Sequence, residues 1–100
     1  MTLASGIEVP TEKIRELCRR YQVSELSIFG SAARGSMTPD SDIDILVEFL
    51  PEANVGWEFF RLEEELSRLF GRRVDLGTKQ SLKPWVRDRA LHDAQIVYAS

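Results

Sequence analysis

The stretch that decides the fold is Ser41-Asp42-Ile43-Asp44-Ile45-Leu46-Val47-Glu48-Phe49. From Asp42 to Phe49 it reads as a strand: Ile43, Ile45 and Val47 share one face, while Asp42, Asp44 and Glu48 share the other, with Leu46 among them. Asp44 is the most informative residue, because aspartate is a poor strand former and this one stands between two isoleucines. Asp42 lies two residues earlier on the same face, about 7 Å away along a strand, so both carboxylates can reach a hard cation from one side.

Upstream, Glu25-Leu26-Ser27-Ile28-Phe29 alternates as a second strand and breaks at Gly30-Ser31, before the helix-compatible Ala32-Ala33-Arg34 and a stop at Gly35. Before it, Thr11 can cap a helix in which Ile14, Leu17, Cys18 and Tyr21 fall on one side. Residues 1–10 are expected to be flexible. Downstream, Asn54 can cap a helix whose Phe59, Leu62, Leu66, Leu69 and Phe70 form an apolar stripe ending at Gly71, with Arg61, Glu63, Glu64 and Arg68 on the wet side. Arg72 to Leu76 then reads as a short strand with Asp75 on its polar face, Pro84 opens a last helix, and Ile96-Val97-Tyr98 makes an edge strand. The alternation of helix and strand predicts an α/β (α+β) fold, a single domain over residues 1–100 with a small mixed sheet of about four strands flanked by helices.

Two positions carry chemistry besides the strand acids. Gly30-Ser31 ends a strand and opens a helical turn, where unpaired N–H groups favour a phosphate; Ser31 adds a hydroxyl, and Arg34 can reach back with its charge or brace the loop against an acid. Asp75 is a third acid on the polar face of another strand. Asp42 alone is equally well explained by the Asp40-Ser41 turn. Three converging carboxylates are another matter, since they repel one another unless a divalent cation neutralises them. The run from Gly30 to Ser36 has P-loop spacing, but Ser36 stands where the lysine is required, which excludes that motif.

The strings Gly30-Ser31-Ala32-Ala33-Arg34-Gly35 and Ser41-Asp42-Ile43-Asp44-Ile45-Leu46-Val47 together resemble the signature of the DNA polymerase β-type nucleotidyltransferase superfamily. In its short length the chain is similar to the minimal nucleotidyltransferases, the MntA-like antitoxins that pair with HEPN ribonuclease toxins. The resemblance implies the nucleotidyltransferase fold, nucleotide phosphates held by Ser31 and the adjacent backbone at Gly30, and Mg²⁺, as two ions, held by Asp42, Asp44 and Asp75, while Arg34 is added to the nucleotide site by its position one turn further on. It further implies that Asp75 helps deprotonate the acceptor hydroxyl, and that AMP passes from ATP to a tyrosine of a HEPN toxin. Two other readings stay open: an antitoxin acting by binding alone, and transfer to a small molecule. The second is weakened by the missing helical domain with which larger relatives grip their acceptors.

Composition bounds the partners. A net charge of −3 argues against general nucleic-acid binding by phosphate neutralisation. Cys18 is the only cysteine, so neither an internal disulfide nor a cysteine-rich zinc site can form, and a reducing cytoplasm is expected. The N-terminus lacks the pattern of a signal peptide, and no apolar run is long enough to span a membrane. Trp57, Phe59 and Phe60 exceed what one helical stripe can bury, so one or two are expected to face a partner or a second copy, with core packing an equal alternative for each singly. The resemblance implies a hetero-oligomer with the toxin, and a homodimer stays open. His92, Lys79 and Lys83 are expected at the surface, and Trp85 over the core.

Overall fold

The computed structural model describes every residue except Ala4, Met37 and Pro39. The last two belong to the turn-rich Ser36–Ser41 segment, whose reading at those positions lies outside the described residues. The element order is α1 (Thr11–Arg20), β1 (Val23–Phe29), α2 (Ser31–Arg34), β2 (Ile43–Phe49), α3 (Trp57–Phe70), β3 (Val74–Gly77), a 3-10 turn (Lys79–Ser81), α4 (Pro84–Asp93) and β4 (Gln95–Ala99). The four strands form one mixed sheet in the order β3-β2-β1-β4, in which β1 runs antiparallel to both neighbours and β2 pairs parallel with β3. A parallel pair needs a long crossover, and α3 supplies it.

The alternation in β1, β2 and β3 sends Leu26, Ile28, Ile43, Ile45, Val47, Val74 and Leu76 to one face. There they meet Ile14, Leu17 and Cys18 of α1 and Leu62 and Leu66 of α3, all inside one core cluster. Each such side chain contributes roughly 1.5–3 kcal/mol when fully buried. On the opposite face α4 packs against β1 and the 3-10 turn against β2. That thinner layer is why Leu46 is buried although it points the same way as Asp44.

Several boundaries differ from the sequence expectation for local reasons. The segment expected to be flexible folds back on itself: Thr2 bridges to Glu8, Gly6 turns with φ 87°, and Leu3 and Val9 are buried in the core. Burial of two aliphatic side chains holds it. α3 starts at Trp57 rather than at Asn54, because the Glu58 carboxylate accepts the Gly56 N–H at 3.1 Å and satisfies the helix start from within. It ends as expected at Gly71, whose φ of 62° permits the closing bonds Gly71 N–H to Arg68 O and Arg72 N–H to Ser67 O. Arg72 is thereby tied to the helix end, and β3 begins only at Val74. No helix among the described residues is long and apolar enough to cross a membrane.

Candidate active site

β1 ends where β2 and β3 begin, and the chemistry-bearing residues gather at that end of the sheet. Across the antiparallel β1–β2 pair Phe29 stands opposite Asp44, and across the parallel β2–β3 pair Asp44 stands beside Asp75. Neighbouring strands lie about 4.8 Å apart, so the two aspartates project side by side from one face. Asp42 immediately precedes β2. Its carboxylate makes a long 3.8 Å pair with the exposed guanidinium of Arg73.

Gly30 follows Phe29 with φ 70° and ψ −148°, a backbone region essentially reserved for glycine. A Cβ there would lie 2.5 Å from Asp44 Oδ2. The backbone at Gly30 and the Asp44 carboxylate therefore lie against one another. The turn is closed by Arg34 N–H to Gly30 O at 3.0 Å, and by Gly35 and Ser36 N–H to Ser31 O at 3.0 and 3.1 Å. Gly35 adopts the left-handed conformation that ends α2. Ser31 is half-buried at the start of that turn.

Asp44 has its pKa raised above the ordinary carboxylate value, first by burial and then by the charges of Asp75 and Asp42, with Arg34 offsetting part of the effect. Asp44 thus feels both of the other acids. As their side chains stand, no three acidic, histidine or cysteine groups among the described residues converge closely enough to hold a metal ion. Asp42 is turned to Arg73 and Asp75 is exposed. The donor set nevertheless fits a hard divalent cation: it is all oxygen, lies at one end of the sheet, and carries a repulsion that such an ion relieves.

The nucleotidyltransferase domain family matches residues 11–97 of the chain. The chain belongs to that family. As a nucleotidyltransferase it is 41% identical over 98 residues to the protein adenylyltransferase MntA of Thermococcus cleftensis, covering 98% of this chain and 96% of that one. It also superposes on a solved structure described as a minimal nucleotidyltransferase, with a TM-score of 0.71 and 35% identity over 85% of this chain and 86% of that one. A chain of a Shewanella oneidensis complex, a tri-AMPylated HEPN toxin with its MNT antitoxin, shares the fold with a TM-score of 0.64 at 21% identity, covering 90% of this chain and 70% of that one.

The structure of this nucleotidyltransferase brings Gly30, Asp44 and Asp75 together, with Asp42 and Ser31 adjoining them. Arg34 pairs with Asp93 of α4 at 3.3 Å, which ties the turn to that helix. Sequence reading did not single out Asp93 or Arg73. It also placed Glu63 on the wet side of α3, whereas the Glu63 carboxylate accepts the Leu76 N–H at 2.9 Å; the signal available was its one-turn spacing from Ser67. Lys79 pairs with Glu48 at 3.6 Å, and Lys83 and His92 are exposed. Trp85 is 68% exposed and does not cover the core, because α4 presents Ala90 inward instead. Trp57 and Phe60 are exposed, while Phe59 packs against Phe49. Two grooves of about 270 and 280 Å³ run along the end of α1 and the neighbouring parts of α3 and its leading loop, and the acids line neither. Asp75 reaches solvent, while Asp42 and Asp44 are half-buried.

Proposed function

We propose that the chain is an antitoxin that transfers AMP from ATP to a tyrosine hydroxyl of a HEPN ribonuclease toxin in the cytoplasm and so silences it. The observation that carries this reading is the register that sets Asp44 between the Phe29-Gly30 turn and Asp75. It is supported by the likeness along nearly the whole chain to a protein adenylyltransferase, and by the fold shared with a complex whose HEPN toxin is AMPylated.

In this reading Ser31 and the N–H groups of the Gly30–Ala32 turn hold the terminal phosphates, and Gly30 allows them close approach. Arg34 exchanges Asp93 for the triphosphate when nucleotide arrives. Asp42 and Asp44 hold Mg²⁺, with Asp75 completing the set. The metal supplies neutralisation of the charge on the reacting phosphates. Asp75, the most exposed of the three acids, takes the proton of the acceptor hydroxyl. The acceptor oxygen bonds to the α-phosphorus as the bond to the bridging oxygen breaks, and pyrophosphate departs with that electron pair. The exposure of Asp75 suits an acceptor presented on another protein's surface. A module acting by binding alone would have no use for the mutual repulsion at Asp44, which costs stability.

The test mixes the protein, Mg²⁺, ATP labelled in its α-phosphate or adenine, and a HEPN-family toxin. Label bound covalently to a tyrosine of that protein is expected, and an Asp42→Ala/Asp44→Ala variant should transfer none. Absence of transfer, with toxin neutralisation unchanged in that variant, would replace the enzymatic reading by binding alone.

A further inference from the structure

β3 is a four-residue edge strand, and its outward N–H groups face away from β2. They do not point to solvent. Ser67 Oγ accepts the Val74 N–H at 3.0 Å, and Glu63 Oε2 accepts the Leu76 N–H at 2.9 Å. Ser67 Oγ in turn donates to Glu63 O at 2.9 Å, which fixes its own rotamer. The match is geometric. Positions 63 and 67 lie one turn apart on α3, a rise of about 6 Å, and alternate residues of a strand advance about 6.6 Å, so two rungs of helix meet two outward amides of strand.

The residue between those two amides is Asp75. We infer that Glu63 and Ser67 are positioning residues for the transfer reaction: they clamp the backbone on both sides of Asp75 and hold its carboxylate beside Asp44. The inference rests on the reading of Asp75 given above. The ladder to β2 and the buried side chains of Val74 and Leu76 hold one side of this four-residue strand, and the two bonds from α3 hold its other side around residue 75, whose own side chain is exposed. The Glu63 bond is charge-assisted, and losing it leaves the Leu76 amide without a partner at a buried position.

The experiment compares Glu63→Ala, Glu63→Gln, Ser67→Ala and Asp75→Asn in the full chain, by AMP transfer to a HEPN-family toxin and by amide hydrogen exchange of Val74 and Leu76 without metal. Removing a residue that orients a ligand group costs about 10–100-fold, so Glu63→Ala should lower kcat by about that factor with the KM for ATP within about twofold, while Glu63→Gln, which keeps an accepting oxygen, stays within about threefold of the parent. The Leu76 amide should exchange slowly in the parent and in Glu63→Gln, and fast in Glu63→Ala. Unchanged kcat in Glu63→Ala and Ser67→Ala beside an inactive Asp75→Asn would overturn the inference. Full activity of Asp75→Asn would overturn the reading of Asp75 instead. Should Glu63→Ala fail to fold, a Leu76 amide that exchanges freely in the parent chain overturns the clamp.

Discussion

Oδ2 of Asp44 lies 2.5 Å from the place a Cβ on Gly30 would occupy, so a side chain at residue 30 would force the Asp44 carboxylate to shift from its position beside the turn. Gly30→Ala combines this clash with a backbone conformation that costs a residue with a Cβ of order 1–3 kcal/mol. A domain of this size loses about 4–8 °C of Tm per kcal/mol. The variant is expected to melt several degrees lower by calorimetry and to lose AMP transfer. A parent-like Tm and rate would show that the turn relaxes freely.

Asp44→Asn is expected to stabilise the metal-free protein at neutral pH. The folded pKa of Asp44 is raised above its ordinary 3.8, so the native state binds a proton more tightly than the unfolded chain. Stability therefore falls as pH rises from the ordinary carboxylate range through the folded pKa, and stays lowered above it. The gain from Asn should appear at pH 7 and vanish near pH 3, while transfer is lost. Thermal melts at the two pH values check the sign, and a gain of equal size at both would contradict it.

Divalent cation should relieve the same repulsion. Added Mg²⁺ or Mn²⁺ is expected to raise the Tm of the parent chain, by the equivalent of about 2.7 kcal/mol at a hundredfold excess over Kd. The shift should be absent from Asp42→Ala/Asp44→Ala. An equal shift in both proteins would place ion binding elsewhere.

Arg34 separates bracing from binding. Its pair with Asp93 is partly exposed, and exposed pairs contribute about 0–1 kcal/mol, so Arg34→Ala should barely move the Tm. Loss of a charge-assisted bond to a phosphate costs about 1.5–3 kcal/mol, which predicts a KM for ATP about tenfold or more higher. Steady-state kinetics and a melt on one preparation measure both. A lowered Tm with unchanged KM would assign Arg34 to bracing.

Cys18 should be silent in the native state. Burial pushes its thiol up to about 12 and leaves it no access to solvent. A thiol reagent at pH 8 is expected to label it only at the rate of unfolding, and rapid labelling of the native protein would contradict its burial.

Much of this was legible in the sequence, for a physical reason. The alternation from Ile43 to Val47 decides which way Asp44 points, and a strand phase needs no knowledge of neighbours. Gly30 announced a turn because its conformation excludes other residues. The contact between Gly30 and Asp44 was not legible, since it depends on how β1 registers against β2. The phase of Asp75 was readable from its strand, while its place beside Asp44 was implied only by the resemblance, because it depends on how β3 registers against β2. Glu63 was misread because a charged residue on a helix flank normally faces water, and only the β3 edge gives it an amide to hold. The burial of Leu3 and Val9 was hidden because the turn at Gly6 is too short to show a period.

The pairing of Asp44 with Asp75 has one more consequence. Side chains on a strand alternate with a period of two, so a slip of β3 by one residue would turn Asp75 into the core and set Val74 or Leu76 out beside Asp44. There is no half-aligned arrangement in which the sheet is slightly wrong and the acids slightly apart. Correct alignment of this edge and possession of the full set of carboxylates are a single event, and a batch of protein with native turnover certifies its own strand register.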